Sequence, residues 1–324
     1  MAKISFIIPC FNAENLLEKC FSSLSEQTFK DVEYIFVDDG STDFTKYVIE
    51  TFIQSEPRAK LISQINQGIT KARLAGLKHA SGDFVTFVDS DDFIDIGAAE
   101  EALSIFNSNE KIDAVLYSLV YAKDGGVETF KYSMSFPISG YEVLKFTIPS
   151  WRITTAGFYK RAYAVSAYAG LNLVATNSDE MATRSIFELC RQVEKMYAKY
   201  YYVHNPESIS KTPSKSYITR LESARWLRDY SISKLSNHVS RKDADTLYIN
   251  ELCDMAIKYH NLMLVMDVST RSIWLRGIYE HRQNLLKIFR SALANYPLGV
   301  LFDLKMLKKI VYILGWPLIK KARD

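Results

Sequence analysis

Four short runs of β-branched and aromatic residues, separated by three stretches of helical periodicity, constrain this chain more than any other feature. Ile4–Cys10 reads as a buried strand. Asn12 is placed to cap the helix after it, on which Leu16, Leu17, Cys20, Phe21 and Leu24 share one face. A second strand, Val32–Val37, ends in Asp38-Asp39-Gly40-Ser41, and Thr42 or Asp43 caps a helix running towards Glu56. Lys60–Ile65 reads as a third strand, Gly68–Ala80 as a third helix, and Phe84–Val88 as a fourth strand ending in Asp89-Ser90-Asp91-Asp92. Such a series predicts a parallel sheet covered by helices on both faces. Ligands of such sheets gather at the carboxyl ends of the strands. Polar clusters stand at three of those ends: Pro9 to Glu14, Asp38 to Asp43 and Asp89 to Asp92.

Beyond the fourth strand the pattern changes. A strand pair is predicted between Ala114 and Tyr132 around Asp124-Gly125-Gly126, a hairpin turn signal. Pro149–Ala164 is irregular and contains Phe158-Tyr159-Lys160-Arg161. Ser178 or Asp179 reads as the cap of a helix through Cys190, and Tyr200–Val203 as an aromatic strand. From Leu221 onward the periodicity is helical. That places a boundary near residues 214–217, with an α/β part over 1–215 and a helical part over 216–324.

Composition removes several classes. A net charge of +3 gives no field for a polyanion, so no nucleic-acid partner is expected. The four cysteines, Cys10, Cys20, Cys190 and Cys253, form no CxxC or Cys/His cluster, which suits free thiols in a reducing compartment. The apolar start, Ile4–Ile8, is too short for a signal peptide, and no run approaches the ~18 apolar residues of a membrane span. A cytoplasmic protein is the expectation.

The acidic clusters carry the chemistry. Asp89 and Asp91 occupy alternate positions at a strand end, where two carboxylates can share a Mg²⁺ or Mn²⁺ ion with diphosphate oxygens. A solvated acidic turn ahead of Gly97 is the plainer alternative. Asp38 to Asp43 admits a turn and helix cap, or a carboxylate accepting the N3–H of a pyrimidine base, with Phe11 as the ring on which the base stacks.

In this order the segments resemble glycosyltransferase family 2, over roughly residues 3–210. The matching stretches are Ile7-Ile8-Pro9-Cys10-Phe11-Asn12-Ala13-Glu14, Ser23-Leu24-Ser25-Glu26-Gln27-Thr28-Phe29 and Val37-Asp38-Asp39-Gly40-Ser41-Thr42-Asp43. They continue with Asn66-Gln67-Gly68 and Ala72-Arg73 with Gly76, then Ser81-Gly82-Asp83 and Phe87-Val88-Asp89-Ser90-Asp91-Asp92. Leu74 stands where the family usually has Asn. Phe158-Tyr159-Lys160-Arg161 and Tyr200-Tyr201-Tyr202-Val203 with Ser208-Ile209-Ser210 complete the series.

The resemblance implies a GT-A fold: an α/β, Rossmann-like mixed sheet flanked by helices, here with a C-terminal helical extension. It implies inverting transfer of a sugar from a nucleotide diphosphate, UDP first, to a saccharide hydroxyl in surface polysaccharide assembly such as O-antigen or capsule. A lipid-linked saccharide is one such acceptor. The implied nucleotide-sugar site comprises Pro9, Phe11, Asn12, Glu14, Asp39, Gln67, Arg73, Asp89, Ser90 and Asp91. Asp91 is implied as the main ligand of Mn²⁺ or Mg²⁺, and Asp89 as nearer the donor sugar.

Inverting transfer needs a carboxylate that takes the acceptor's proton. The family keeps it in a Glu-Asp pair at a helix start, where this chain reads Ser178-Asp179-Glu180-Met181. The downstream Ile186-Phe187 fits the family spacing with Asp179 as the base, and Glu180 is the alternative. Acids favoured by the helix dipole are the plainer reading of either. Trp151 stacks on an acceptor sugar or packs a loop, and His204 touches a phosphate or lies at the surface.

Other classes fit less well. A nicotinamide enzyme wants a G-x-G-x-x-G turn where this chain has Pro9-Cys10-Phe11-Asn12. A phosphatase of the Asp-nucleophile type carries its DxD after an early core strand, and a nucleotidyltransferase wants a basic, glycine-rich first loop. A non-catalytic nucleotide-sugar-binding or scaffold protein on the same fold stays open, favoured by the Asp179-Glu180 order. The segment from Pro297 to Asp324 carries six basic and two acidic residues. Its Val300, Leu304, Leu307, Val311 and Leu314 recur at helical spacing, so 297–324 either lies in a membrane interface or packs on the core.

Overall fold

Seven consecutive buried residues form β1 (Ile4–Cys10), the strand around which the computed structural model is organised. A strand apolar on both faces belongs in the middle of a sheet. β2 (Val32–Asp38) lies parallel on one side, with Ile4 opposite Val32. β3 (Ala59–Ser63) extends the sheet beyond β2, and β4 (Phe84–Phe87) lies parallel on the other side of β1. Helices α1 (Leu17–Ser25), α2 (Thr45–Ser55) and α3 (Ile69–His79) connect these strands. The structure describes residues 3–123, 126–130, 132, 134–147, 156–171, 178–203, 217–237, 239–263 and 266–295. They belong to two compact units: Met1–Val174 with Ser178–Pro206, and Ala175–Asn177 with Glu207–Asp324. Sequence features at Asp124-Gly125, Trp151, Asn177, His204 and 297–324 lie outside the described residues.

Past β4 the first unit's sheet is mixed. β6 (Ile112–Lys123) forms a hairpin with β7 (Gly126–Thr129), pairing Lys123 with Gly126. β8 (Gly157–Lys160) runs antiparallel to both β4 and β6. β9 (Gln192–Val203) runs parallel to β6, and β5 (Phe93–Ile94) lies antiparallel on its outer edge. The order is β3-β2-β1-β4-β8-β6-β9-β5, with β7 beside β6. The parallel sheet expected from the first strands therefore ends at β4, and the mixed sheet of a GT-A fold is what forms. Four residues of β8 encode no direction by themselves. Their place comes from packing, because Phe158 sits between the rings of Phe6 (5.8 Å) and Tyr117 (5.2 Å). The remaining helices of this unit are α4 (Ala98–Ser108), α5 (Gly140–Thr147), α6 (Arg161–Ala169) and α7 (Ser178–Leu189).

Two local expectations are corrected. Asn12 does not cap α1: its φ is +49°, the helix begins at Leu17, and the Asn12 side chain is turned across to the next loop. The strand expected at Tyr200–Val203 begins at Gln192. Its first half reads as polar because Glu194, Lys195, Tyr197 and Lys199 alternate with the buried Val193, Met196 and Ala198.

The amino ends of the strands, away from the acidic clusters, are tied by Glu33. Its carboxylate accepts from Lys60 Nζ (2.7 Å), Ser5 Oγ (2.7 Å) and the Ser81 amide (2.6 Å). Burial opposes the charge, but these donors outweigh it and bring the pKa down to about 2. All four cysteines are buried free thiols.

The second unit is helical. After a 3₁₀ turn at Tyr217–Thr219 come α8 (Arg220–Lys234), α9 (Arg241–Leu262) and α10 (Val268–Asn295). Ser240 caps α9 by accepting from the Asp243 amide at 3.1 Å. Leu221, Ile249, Leu252, Trp274 and Ile278 are fully buried in its own core, with Tyr217 stacked on Trp274 at 5.4 Å. Among the described residues no helix is long and apolar enough to cross a membrane.

Candidate active site

The loops after β1 and β2 are laced together by their side chains. Asn12 Oδ1 accepts the Thr42 amide at 2.8 Å, and the Asn12 amide donates to Ser41 Oγ at 3.0 Å. Glu14 Oε2 accepts the Phe44 amide at 2.7 Å, while the Glu14 amide donates to Asp43 Oδ2 at 3.2 Å. Asp38 is buried and receives the Ser41 amide at 3.0 Å. Pro9 is buried at the end of β1, and the Phe11 ring is left 40% exposed at the rim.

Asp39 extends this lacing to the loop before α3. Its Oδ1 accepts Gln64 Nε2 (2.7 Å) and the Gln67 amide (2.9 Å), and its Oδ2 accepts the Gly68 amide (2.8 Å). A carboxylate has about four acceptor positions, and the described residues fill three on Asp39. The adjoining Gly40 has φ +75°, and a Cβ there would lie 2.7 Å from the Asn66 nitrogen, so only glycine fits this turn. Gln67 contributes its backbone here and exposes its side chain.

Arg73 joins the third cluster to the start of α7. Its side chain is 1% exposed, beside the ring of Phe87 at 5.3 Å. Its Nη2 donates to Asp89 Oδ1 at 2.7 Å and its Nη1 to Asp179 Oδ2 at 3.2 Å. Burial disfavours the guanidinium charge, but Asp89, Tyr168 and Asp179 outweigh that and raise its pKa. Paired charges of this kind are what makes a buried cation tolerable. Its Nε has no hydrogen-bond partner among the described residues. One turn earlier on α3, Thr70 bonds the hydroxyl of Ser178, so α3 grips the start of α7 at two points. The Glu180 carboxylate lies 3.3 Å from Arg184 on its own helix.

The turn after β4 is held from β9. Tyr200 is 4% exposed; its hydroxyl receives the Asp89 amide at 3.1 Å and donates to Asp92 Oδ2 at 2.8 Å. Asp92 Oδ1 accepts the Val203 amide at 2.8 Å. Burial, with Asp89 and Asp91 beside it, pushes the Asp92 carboxyl well above the usual range. The same acidic field reaches Cys10, whose thiol is raised by burial first and then by Cys20, Asp38 and Asp89. It stays protonated and is no nucleophile.

Asp89, Asp179 and Arg73 are thus brought together, with Ser90 and Asp91 half-buried on the same turn as Asp89. Pro9, Phe11, Asn12, Glu14 and Asp39 form a second, contiguous group through the laced loops. Sequence reading missed Tyr200 and Thr70 as parts of the site, because both act across long stretches of chain. Among the described residues no three His, Cys, Asp or Glu side chains can hold a metal ion alone. Asp89 and Asp91 are hard oxygen donors, which fit a Mg²⁺ or Mn²⁺ ion that takes its remaining ligands from a diphosphate and water.

A family model described as Glycosyl transferase family 2 matches residues 5–169. Glycosyltransferase GlyA of Streptococcus pneumoniae is 45% identical over 93 residues, 29% of this chain and 13% of that protein. The GalNAc(5)-diNAcBac-PP-undecaprenol beta-1,3-glucosyltransferase of Campylobacter jejuni is 38% identical over 129 residues, 39% of this chain and 41% of that protein. These matches span less than half the length of either relative. Among solved structures, S. aureus TarS 1-349 in complex with UDP-GlcNAc superposes with TM-score 0.62 at 18% identity, over 87% of this chain and 81% of that one. Mannosyltransferase PcManGT from Pyrobaculum calidifontis, in complex with GDP-Man and Mn2+, gives TM-score 0.52 at 14% identity, over 88% and 87%. At such identities the likeness is one of fold.

Proposed function

The chain belongs to glycosyltransferase family 2, and we propose that it moves a sugar from a UDP-sugar to a saccharide hydroxyl with inversion at the anomeric carbon. The observation that carries this reading is the Asp89–Arg73–Asp179 bridge, which joins the strand-end acids to a carboxylate on another helix. In the reading, Phe11 and Pro9 bed the base and Asp39 uses its remaining acceptor position for the base imide. Asn12, Glu14 and Gln67 hold the loops that shape this bed. Arg73 and Ser90 lie against the diphosphate and sugar. Asp179 takes the proton of the acceptor hydroxyl as it attacks, a contribution of about 10²–10⁴-fold in such reactions.

Asp91, with Asp89 beside it, would hold a Mg²⁺ or Mn²⁺ ion, which would supply positive charge for the leaving diphosphate. The Mn2+ in the mannosyltransferase neighbour supports this assignment. In this reading residues 1–215 bind the donor and carry the reaction, and the helical part, 216–324, serves the acceptor or the membrane. The undecaprenol-linked substrate named for the Campylobacter relative supports a lipid-linked acceptor in polysaccharide assembly. A cytoplasmic enzyme in peripheral contact with the membrane meets such a substrate.

The test is UDP release from a panel of UDP-sugars with saccharide acceptors, with Mn²⁺ and with a chelator. Turnover is expected only with the metal, and Asp91→Ala should abolish it while leaving the far-UV dichroism unchanged. A protein that binds UDP-sugar and releases no UDP under any condition is a binding protein on this fold, and that result ends the transferase reading.

A further inference from the structure

The turn carrying Asp89 and Asp91 is fastened by the strands on either side. Before it, the Val88 amide donates to Ile7 on β1 at 3.1 Å. After it, Phe93 and Ile94 pair with Tyr201 and Tyr200 on β9, and the rings of Phe93 and Tyr201 stack at 4.4 Å. Between these two fastenings, the Tyr200 hydroxyl is the described side-chain atom that reaches both ends of the turn: it accepts from the Asp89 amide and donates to Asp92. Tyr200 is itself fixed by burial and by Tyr117, 5.6 Å away edge-on.

We infer that Tyr200 is the positioning residue of the acidic turn, and that Asp92 is its anchor and not a third cation ligand. Each Asp92 oxygen already serves one donor, Tyr200 or the Val203 amide, at 2.8 Å, on a residue only 1% exposed. An oxygen that gave up either bond to a cation would leave a buried donor unpaired, the costly half of any broken hydrogen bond. The clamp fixes the backbone at Asp89, and hence where the Asp89 and Asp91 carboxylates leave the chain. Hard cations that keep only a few protein oxygens are sensitive to that placement. This inference rests on the reading of Asp89 and Asp91 as the cation and diphosphate turn.

Manganese binding tests it, counted by electron paramagnetic resonance of free Mn²⁺ in the presence of UDP. Calorimetry of UDP without metal supplies the second readout. Tyr200→Phe keeps the ring and loses the clamp. Mn²⁺ affinity is expected to fall about tenfold, the equivalent of ~1.4 kcal/mol, while metal-free UDP affinity stays within twofold. Asp92→Asn should have a similar effect, and the double variant should be no worse than either single one, since both changes open the same clamp. Losses that multiply in the double variant make Asp92 an independent ligand and overturn the inference. So does unchanged Mn²⁺ affinity in Tyr200→Phe. If that variant fails to fold, Asp92→Asn decides alone: a loss as deep as that of Asp91→Ala counts against the anchor role. Wild-type protein that binds no Mn²⁺ with UDP removes the metal reading itself, and the inference with it.

Discussion

At the start of α7 two adjacent carboxylates differ in what they reach. Asp179 extends to Arg73 and, through that guanidinium, shares a cation with Asp89; Glu180 turns back to Arg184 one helical turn later. Adjacent helical residues point about 100° apart, so only one of the pair can face the strand ends. Asp179→Asn is therefore expected to reduce transfer by about 10²–10⁴-fold, with Glu180→Gln within a few-fold of wild type. Initial rates at saturating donor check this, with UDP affinity as the control. An inactive Glu180 variant beside an active Asp179 variant reverses the assignment. Spacing within the motif pointed to Asp179, but the reason, a buried arginine more than a hundred residues earlier, is invisible in a local pattern. The same holds for Asp39, legible as an acid at a strand end and not as the knot that gathers Gln64, Gln67 and Gly68.

Among the elements, α3 does the most to connect scaffold and site. It carries Thr70 and Arg73 towards α7, and on its inner side Gly76 lets it lie close on β1. A Cβ at Gly76 would fall 2.4 Å from Ile7 Cγ2 and 3.3 Å from Val37 Cγ2. Ile7 is fully buried and β-branched, so its methyl has little room to retreat. Gly76→Ala gains about 1 kcal/mol of helix propensity, against about 1–3 kcal/mol of overpacking. A net loss is expected, seen as a Tm lower by a few degrees and a proportionally larger fall in activity as Arg73 is pushed off its carboxylates. A Tm that rises contradicts the close packing. The elements that pattern made legible are β1 and β2, as short apolar runs, α1 and α3 between them, and the helical character of the C-terminal part. β5 has two residues and β8 four, too few for any period, and both are placed by rings on distant strands. The polar half of β9 hid its alternation, so Tyr200 read as the start of a strand and not as the clamp near the end of a long one.

For the whole molecule, charge distribution says more than net charge. Residues 297–324 carry six basic and two acidic side chains, a net of +4 against +3 for the entire chain, so the remainder is slightly acidic. Such a remainder offers an anionic surface no net attraction, so attraction would concentrate in one segment. Lys305, Lys308 and Lys309 alternate with the apolar stripe of Leu304, Leu307 and Val311, and Lys320 and Lys321 follow Trp316. That pattern suits a helix lying in a membrane interface, with the tryptophan at headgroup depth. Each lysine near anionic lipid contributes about 1 kcal/mol, and screening removes most of that once salt brings the Debye length to a few ångström. Sedimentation with vesicles of phosphatidylglycerol and phosphatidylcholine at low salt should carry the full chain down, and 1 M salt should release it. Replacing Lys305, Lys308, Lys309, Lys320 and Lys321 by Gln keeps the apolar stripe and should weaken partitioning by nearly four orders of magnitude, about 5 kcal/mol on the same per-lysine figure. UDP binding in that variant should match wild type, because no residue of the laced loops or of the Asp89–Arg73–Asp179 bridge is touched. Equal sedimentation of the two proteins removes the membrane assignment for this segment and leaves the transferase assignment standing.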